Sequence, residues 1–552
     1  MTNPLASTAQ IDPQPSPPPT PELARRRRLA AVTGAAVALI VVLVVVLGLG
    51  GAGPAPPATA AASIIPADAL AYVNVSLDRG RPAVSQTLTL AAKLPDYPLA
   101  AAAVLTRLSA ILGGGHAVDF ATQIRPWLGN EAALALLDTP TSTAGSLIVL
   151  SVTDETRARA FLRSSGASSR GTYRGTPLVA YSSATELAFV QGFLVLGQDA
   201  SVRAAIDVAT GATASLASDS TYRRASAGEP AGRVLDAYAS VAGVRRLLAP
   251  QAGVVGALGD LLYQPALQGV TIALSPAPGG ARLQVHSALD PTLAKLSPPA
   301  TPAFVPTLQN VMPAGAILVL DVTGLDRVAP QVLNAGSAAG VAGGIGPLLA
   351  RLGSALTSEG VNVHDIVSIF HGETAVAIVP HAQSPALVIV ARIADTTRVR
   401  TELAELEIPL AQLFKPPSSG PGQVPVFNDR QVGGITDHEL ALSGGLELDY
   451  AVSGGLVVIS TSSQGIAAVA ERDHTLAQDP SFRFVAGQRP ARVTSLVYLD
   501  FTRLLALGEQ TGLTGSARFR ALRGDLEKIR AIGLSSTRGP DQSSAELSIR
   551  IR

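Results

Sequence analysis

No cysteine occurs in this sequence. That absence excludes a disulfide framework, a thiolate zinc site and a lipidated N-terminal cysteine. Lysine is scarce as well: Lys93, Lys295, Lys415 and Lys528 are the only four among 42 basic residues, so arginine carries almost all the positive charge. Basic and acidic residues nearly cancel, at 42 against 41, which leaves no basic field to track a nucleic-acid backbone and no acidic tail. Catalytic motifs are missing in the same way. There is no Gly-x-Ser-x-Gly elbow, no Walker loop and no zincin helix, and the run Gly340–Pro347 lacks the preceding strand that a dinucleotide fingerprint requires. Nothing in the chain asks for a cofactor.

What is present begins with four arginines, Arg25 to Arg28, directly before 22 uncharged, largely Val, Leu, Ala and Ile residues at 29–50. At about 1.5 Å per residue, such a helix covers roughly 33 Å, enough for a hydrocarbon core of about 30 Å. The arginines place residues 1–28 in the cytoplasm and the rest outside. The apolar run exceeds the 7–15 residues, about the usual length, of a cleaved signal peptide. It therefore reads as an uncleaved anchor, although Ala60–Ser63 offers small residues to a peptidase. The tail at 1–28 is proline-rich and extended, with Ser16 and Thr20 as its modifiable hydroxyls. A Gly/Ala/Pro linker at 51–62 follows.

Beyond the linker the sequence repeats at a spacing of roughly 240–260 residues, a length at which each copy can bury its own core. Pro66-Ala67-Asp68-Ala69-Leu70-Ala71-Tyr72-Val73-Asn74-Val75 finds its counterpart in Pro313-Ala314-Gly315-Ala316-Ile317-Leu318-Val319-Leu320-Asp321-Val322. In the same order, Leu99–Leu112 pairs with Ile345–Leu356, Trp127-Leu128-Gly129 with Phe370-His371-Gly372, and Ser146–Val152 with Ala386–Arg392. The last two strands precede capping residues, Asp154 and Asp395, and then helices. The expectation is two tandem homologous α+β lobes, at 63–290 and 306–552, joined by a Pro-rich connector at 291–305. Neighbours such as 187–190 and 193–197 imply hairpins, and hence mixed, mainly antiparallel sheet with helices packed on one face.

The pattern at 66–75, Ile124-Arg125-Pro126-Trp127-Leu128-Gly129 and Gly192-Phe193-Leu194-Val195-Leu196-Gly197 resembles the DUF3352 family of bacterial envelope proteins. The resemblance implies a membrane-anchored exported protein and supplies no catalytic residue. The second copy departs from the pattern at Ile369-Phe370-His371.

Several side chains invite a chemical reading. His364, His371, His381, His438 and His474 fall in the second copy, with Asp365, Glu373, Asp437 and Glu439 beside three of them. Imidazole with carboxylate suits zinc or manganese. The spacing fits no single-helix or hairpin site, and the first copy has Ala121 and Leu128 at the positions of His364 and His371, so capping and surface roles are expected and no metal site is assigned. Asp219 and Asp479 read as helix N-caps, and Trp127 and Phe370 as core. Arg523-Gly524-Asp525 falls in an expected helix. With no catalytic, cofactor or metal residues assigned, the expected function is non-enzymatic: a single-pass envelope protein whose ectodomain binds another protein, a wall polymer or a lipid. An extracytoplasmic carrier or sensor for a lipophilic ligand is the alternative, and a metal-dependent hydrolase the third reading.

Overall fold

The computed structural model describes residues 56–116, 118–138, 145–182, 185–248, 265–296, 302–326, 368–381, 385–413, 425–442, 447–510 and 517–552. The expected anchor at 29–50, the tail with Ser16 and Thr20, the run Gly340–Pro347, the helix at 345–356 and His364 with Asp365 lie outside them. No described helix is long and apolar enough to cross a membrane.

The first ten strands are β1 (Ala71–Ser76), β2 (Leu128–Leu137), β3 (Gly145–Val152), β4 (Ser168–Tyr173), β5 (Thr176–Ser182), β6 (Thr185–Val190), β7 (Phe193–Gly197), β8 (Leu235–Ser240), β9 (Leu267–Ala277) and β10 (Gly280–Leu289). The next ten are β11 (Leu318–Thr323), β12 (Glu373–Val379), β13 (Ala386–Arg392), β14 (Phe427–Val432), β15 (Ile435–Ala441), β16 (Glu447–Ser453), β17 (Leu456–Ser460), β18 (Ser495–Asp500), β19 (Ile529–Arg538) and β20 (Gln542–Ile551). All twenty belong to one sheet.

In the first half the pairings run β4-β5-β6-β7-β3-β2-β1-β8-β9-β10. In the second half they run β14-β15-β16-β17-β13-β12-β11-β18-β19-β20. The order is the same in both, and every described pairing is antiparallel. The halves meet at β10 and β20, which pair from Gly280↔Arg550 to Ala288↔Gln542, with β4 and β14 outermost. The mixed sheet expected from the sequence is thus purely antiparallel among the described strands, and it runs unbroken through both halves.

Helices cover both faces, not one. On one face the helices Asp199–Ala209 and Ser220–Ser226 pack Val202, Ile206, Tyr222 and Ala225 against Tyr72, Leu147, Val149 and Val195. On the other, Tyr97–Leu112 and Glu155–Ser164 pack Leu108, Leu112, Phe161 and Leu162 against Val75, Leu150, Leu194 and Leu196. The second half repeats the arrangement, with Ser463–Glu471 and Pro480–Ala486 over one face and Thr396–Leu413 over the other. The cause is visible in β3: Leu147-Ile148-Val149-Leu150 is a continuous apolar run, the pattern of a strand buried on both sides. The helix Glu155–Ser164 starts where expected, because Asp154 accepts the Arg157 N–H at 2.9 Å. Asp395 accepts that of Arg398 at the same distance.

The stretch expected as a flexible linker is structured from residue 56 onward. Pro57 is buried, Asn74 Nδ2 donates to the Ala58 carbonyl at 2.9 Å, and Ala60–Ser63 forms a 3-10 turn whose Ala61 and Ala62 lie in the core. The connector also has structure: Pro291–Leu296 is helical, and Phe304 bridges to Val493.

The seam between the halves tolerates no side chain at Gly280, where an added Cβ would sit 2.0 Å from the Ile549 carbonyl oxygen. Gly280→Ala should therefore pry β10 from β20. We expect a loss of about 1–3 kcal/mol in denaturant unfolding and faster proteolysis within 291–305.

Candidate functional site

Two kinds of polar feature interrupt the packed sheet: buried charge clusters within each half and an open groove at the seam. The clusters begin with a shared device. Glu131, the fourth residue of β2, is buried and accepts the Ala61 N–H at 2.8 Å and the Ala60 N–H at 3.2 Å. Glu373, at the start of β12, accepts the N–H groups of Thr307 and Leu308 and pairs with Arg392 at 3.1 Å. In each half a carboxylate thus captures the unpaired donors of a short turn. Nearby, Arg233 bridges Glu229 and Asp236, each at 3.1 Å, with both carboxylates almost fully buried. Burial, then the neighbouring Asp236, pushes the Glu229 carboxyl up to about 7. Burial, then Glu373, raises Asp321 to about 8.

The second half adds a cluster the first half lacks. Arg430 faces Asp437 at 3.0 Å, Glu439 at 2.9 Å, Glu447 at 3.5 Å and Asp449 at 3.9 Å. Asp449 is fully buried, neither of its oxygens has a hydrogen-bond partner, and burial followed by Asp437 raises it to about 8. Leu178 and Gly171 occupy the places of Asp437 and Arg430 in the first half's ladder, so the fold does not require the charges.

The residues singled out from sequence stay apart. His438 stacks on Tyr450 with centroids 4.5 Å apart and its Nδ1 lies 2.7 Å from Asp429. Asp437 and Glu439 point to the opposite face of β15 from His438 by strand alternation. His371 is exposed, with Nδ1 2.9 Å from the Ser368 carbonyl. His381 contacts Gln464 at 3.0 Å, and His474 is exposed. Among the described residues no three His, Cys, Asp or Glu side chains could hold a metal ion.

Asp219 and Asp479 cap helices, accepting the N–H groups of Tyr222 at 2.7 Å and of Ser481 and Phe482 at 2.7 and 3.0 Å. Trp127 is core: it is 1% exposed, and its Nε1 donates to the Gln123 carbonyl at 2.7 Å. Phe370 packs against a second-half cluster. Arg523-Gly524-Asp525 lies in the helix Ala517–Leu526, with Arg523 paired to Glu509 and Glu527 at 2.7 Å and Asp525 accepting the Asp96 N–H at 3.1 Å.

The seam groove escaped the sequence reading. It has a volume of about 480 Å³ and is lined by Arg530, Arg550, Arg552, Phe484 and Ser481 around the Gly279 turn, with no acidic side chain. Arg550 lies over the Phe484 ring, 5.5 Å from its centroid, and donates to Ser481 Oγ at 3.1 Å. Arg530 is the extra residue where the β19–β20 register shifts, so the bulge re-aims its side chain. None of the three arginines forms an ion pair with a described carboxylate. At the corresponding places the first half has Gln268, Ala288 and Asp290, with Thr221 and Arg224 for Ser481 and Phe484. Arginines two or more positions apart on neighbouring strands give no sequence motif, so only the pairing of β19 with β20 brings them together.

A family model described as "Protein of unknown function (DUF3352)" matches residues 29–552. The chain belongs to the DUF3352 family. No curated protein matches this DUF3352 chain. Among solved structures, crystal form I of TP0453 is similar at 10% identity with a TM-score of 0.26, covering 41% of this chain and 77% of that one. Crystal form IV of the same protein gives 10% identity and a TM-score of 0.24, covering 46% and 89%.

Proposed function

We propose that this DUF3352 chain is a single-pass, membrane-anchored envelope protein whose extracytoplasmic part is a non-enzymatic binding module for an anionic ligand. The observation that carries this reading is the seam groove: three arginines without a carboxylate partner among the described residues, one of them held over an aromatic ring. Guanidinium groups held in fixed orientation suit phosphate and carboxylate ligands through paired N–H donors. The tetra-arginine and apolar segment at 25–50 supply the anchor and the topology. The recurring strand order and the matching Glu131 and Glu373 devices support a duplicated unit in which the second copy carries the arginines and the first does not. The carrier reading has less behind it, since both described faces of the sheet are covered by packed apolar clusters.

Reporter fusions before Arg25 and after Arg552 should place the N-terminus in the cytoplasm and the C-terminus outside. Full-length chain in detergent should bind phosphocellulose, and the paired substitution Arg530→Gln with Arg550→Gln should lower the eluting salt concentration. Elution at an unchanged position would remove the groove from the binding function.

A further inference from the structure

We infer that the seam groove holds the phosphate headgroup of an anionic phospholipid from the membrane in which the chain is anchored. This rests on the anchored reading above and adds a geometric argument.

The first described residues after the apolar segment are pinned to one end of the strands. Pro57 is buried, Asn74 Nδ2 holds the Ala58 carbonyl, and Glu131 holds Ala60 and Ala61. Glu131 pairs with Ser76, the last residue of β1. Following the sheet's edge at that end across the pairings, the next positions are Leu235 at the start of β8, the Ala277–Gly280 turn between β9 and β10, Ile551 at the end of β20 and Ile529 at the start of β19.

The groove opens where this edge passes Gly279, Arg530 and Arg550. It also lies on the tether's side of the sheet. Ala61 and Ala62 pack beneath the face that carries the helix Ser220–Ser226, and Phe484 and Ser481 belong to the helix at the matching place in the second half.

Distances allow the edge to meet the membrane. Residues 51–57 can span at most about 24 Å from the end of the apolar segment. Four strand spacings separate β1 from β20, roughly 19 Å at about 4.8 Å each. With the anchor in the bilayer, the tether is therefore long enough for the groove to contact the lipid headgroups. Its chemistry fits them: positive charge to meet a phosphodiester, a planar fork to orient it, and Phe484 to meet the glycerol carbons. A wall polymer would share the phosphate, but it does not need a groove on the tethered edge.

The test uses the full-length chain in a mild detergent, titrated with phosphatidylglycerol or phosphatidylcholine and read by native mass spectrometry. Wild-type chain should retain phosphatidylglycerol at least tenfold more than phosphatidylcholine. Arg530→Gln with Arg550→Gln should abolish the preference, and Arg530→Lys with Arg550→Lys should restore part of it, at an unchanged melting temperature in each case. A competition arm adds sn-glycerol 3-phosphate. Displacement of the lipid only at large excess supports the assignment, whereas equal affinity for the soluble phosphate overturns it.

Alkaline carbonate extraction of the expressing cells separates the two claims. Chain that stays in the membrane while the double variant keeps the lipid preference overturns the groove alone. Chain released by carbonate overturns the anchor and the inference built on it.

Discussion

The melting temperature of the full-length chain should rise by several degrees as the pH falls from about 8 to about 5, the reverse of the usual acid destabilisation. Three buried carboxyls set the sign. Asp321 and Asp449 are lifted from 3.8 to about 8, and Glu229 from 4.5 to about 7, with burial the main cause each time. A carboxyl whose folded value is raised binds more protons folded than unfolded. Its stabilising protonation is complete below the unfolded value and is lost as the pH climbs through the folded one. Each group then changes stability by on the order of 1 kcal/mol per pH unit inside that window. Scanning calorimetry at several pH values checks the slope. Asp321→Asn and Asp449→Asn, which mimic the protonated acids, should each raise the melting temperature at pH 8 and flatten the profile. A profile that falls continuously on acidification would mean that these carboxyls keep their charge in the fold.

Arg233→Ala should be the most damaging single substitution away from the apolar core. It removes a guanidinium that contacts both Glu229 and Asp236, whose side chains are 4% and 5% exposed. Breaking a buried pair by deleting one partner typically costs about 3–5 kcal/mol, because a charge is left without compensation. Arg81 stands close by, with its Nη2 donating to the carbonyls of Ala231 and Arg233 at 2.8 Å, and it softens the loss only in part. Since both carboxylates can escape by taking up protons, the deficit measured by urea unfolding should be smaller at pH 5 than at pH 8. A double variant, Arg233→Ala with Asp236→Asn, should recover part of the loss. An equal deficit at both pH values would point to lost packing of the arginine stem in place of lost charge.

Local signals in the sequence were strong where one residue type decides the backbone. Asp154, Asp219, Asp395 and Asp479 cap the helices they precede, and the hairpin of β6 and β7 turns at Gln191 and Gly192, both at positive φ. Wider arrangement was harder to read. The run Leu147–Leu150 has the pattern of a strand covered on both faces, yet helices were expected on one face only, and at Ala71–Leu77 the positions between the alternating apolar residues are covered as well. Tyr72 is buried edge-on to Tyr222 and directly across the ladder from Tyr238, and Asn74 is buried beside Asp236.

Nor did any residue announce that β10 would join β20. Both strands mix polar with apolar residues, and register over 262 positions, from Gln284 to Glu546, is set by the assembled halves. The groove inherits that difficulty, since Arg530 and Arg550 become neighbours only through the final hairpin. His438 shows the opposite case. Asp437-His438-Glu439 are adjacent in sequence, and the period of two sends them to different faces.

The outermost strands of the long sheet have one more consequence. A ladder that ends in free N–H and C=O groups can recruit another chain, and the twenty described strands have two such ends. Neither end is a good template. β4 reads Ser-Ser-Arg-Gly-Thr-Tyr, exposed except at Tyr173 and broken in register between Ser169 and Gly171. β14 reads Phe-Asn-Asp-Arg-Gln-Val, with Asp429 engaged by His438 and Arg430 by carboxylates. Crowded together, such molecules can lie side by side without fusing their sheets into fibres.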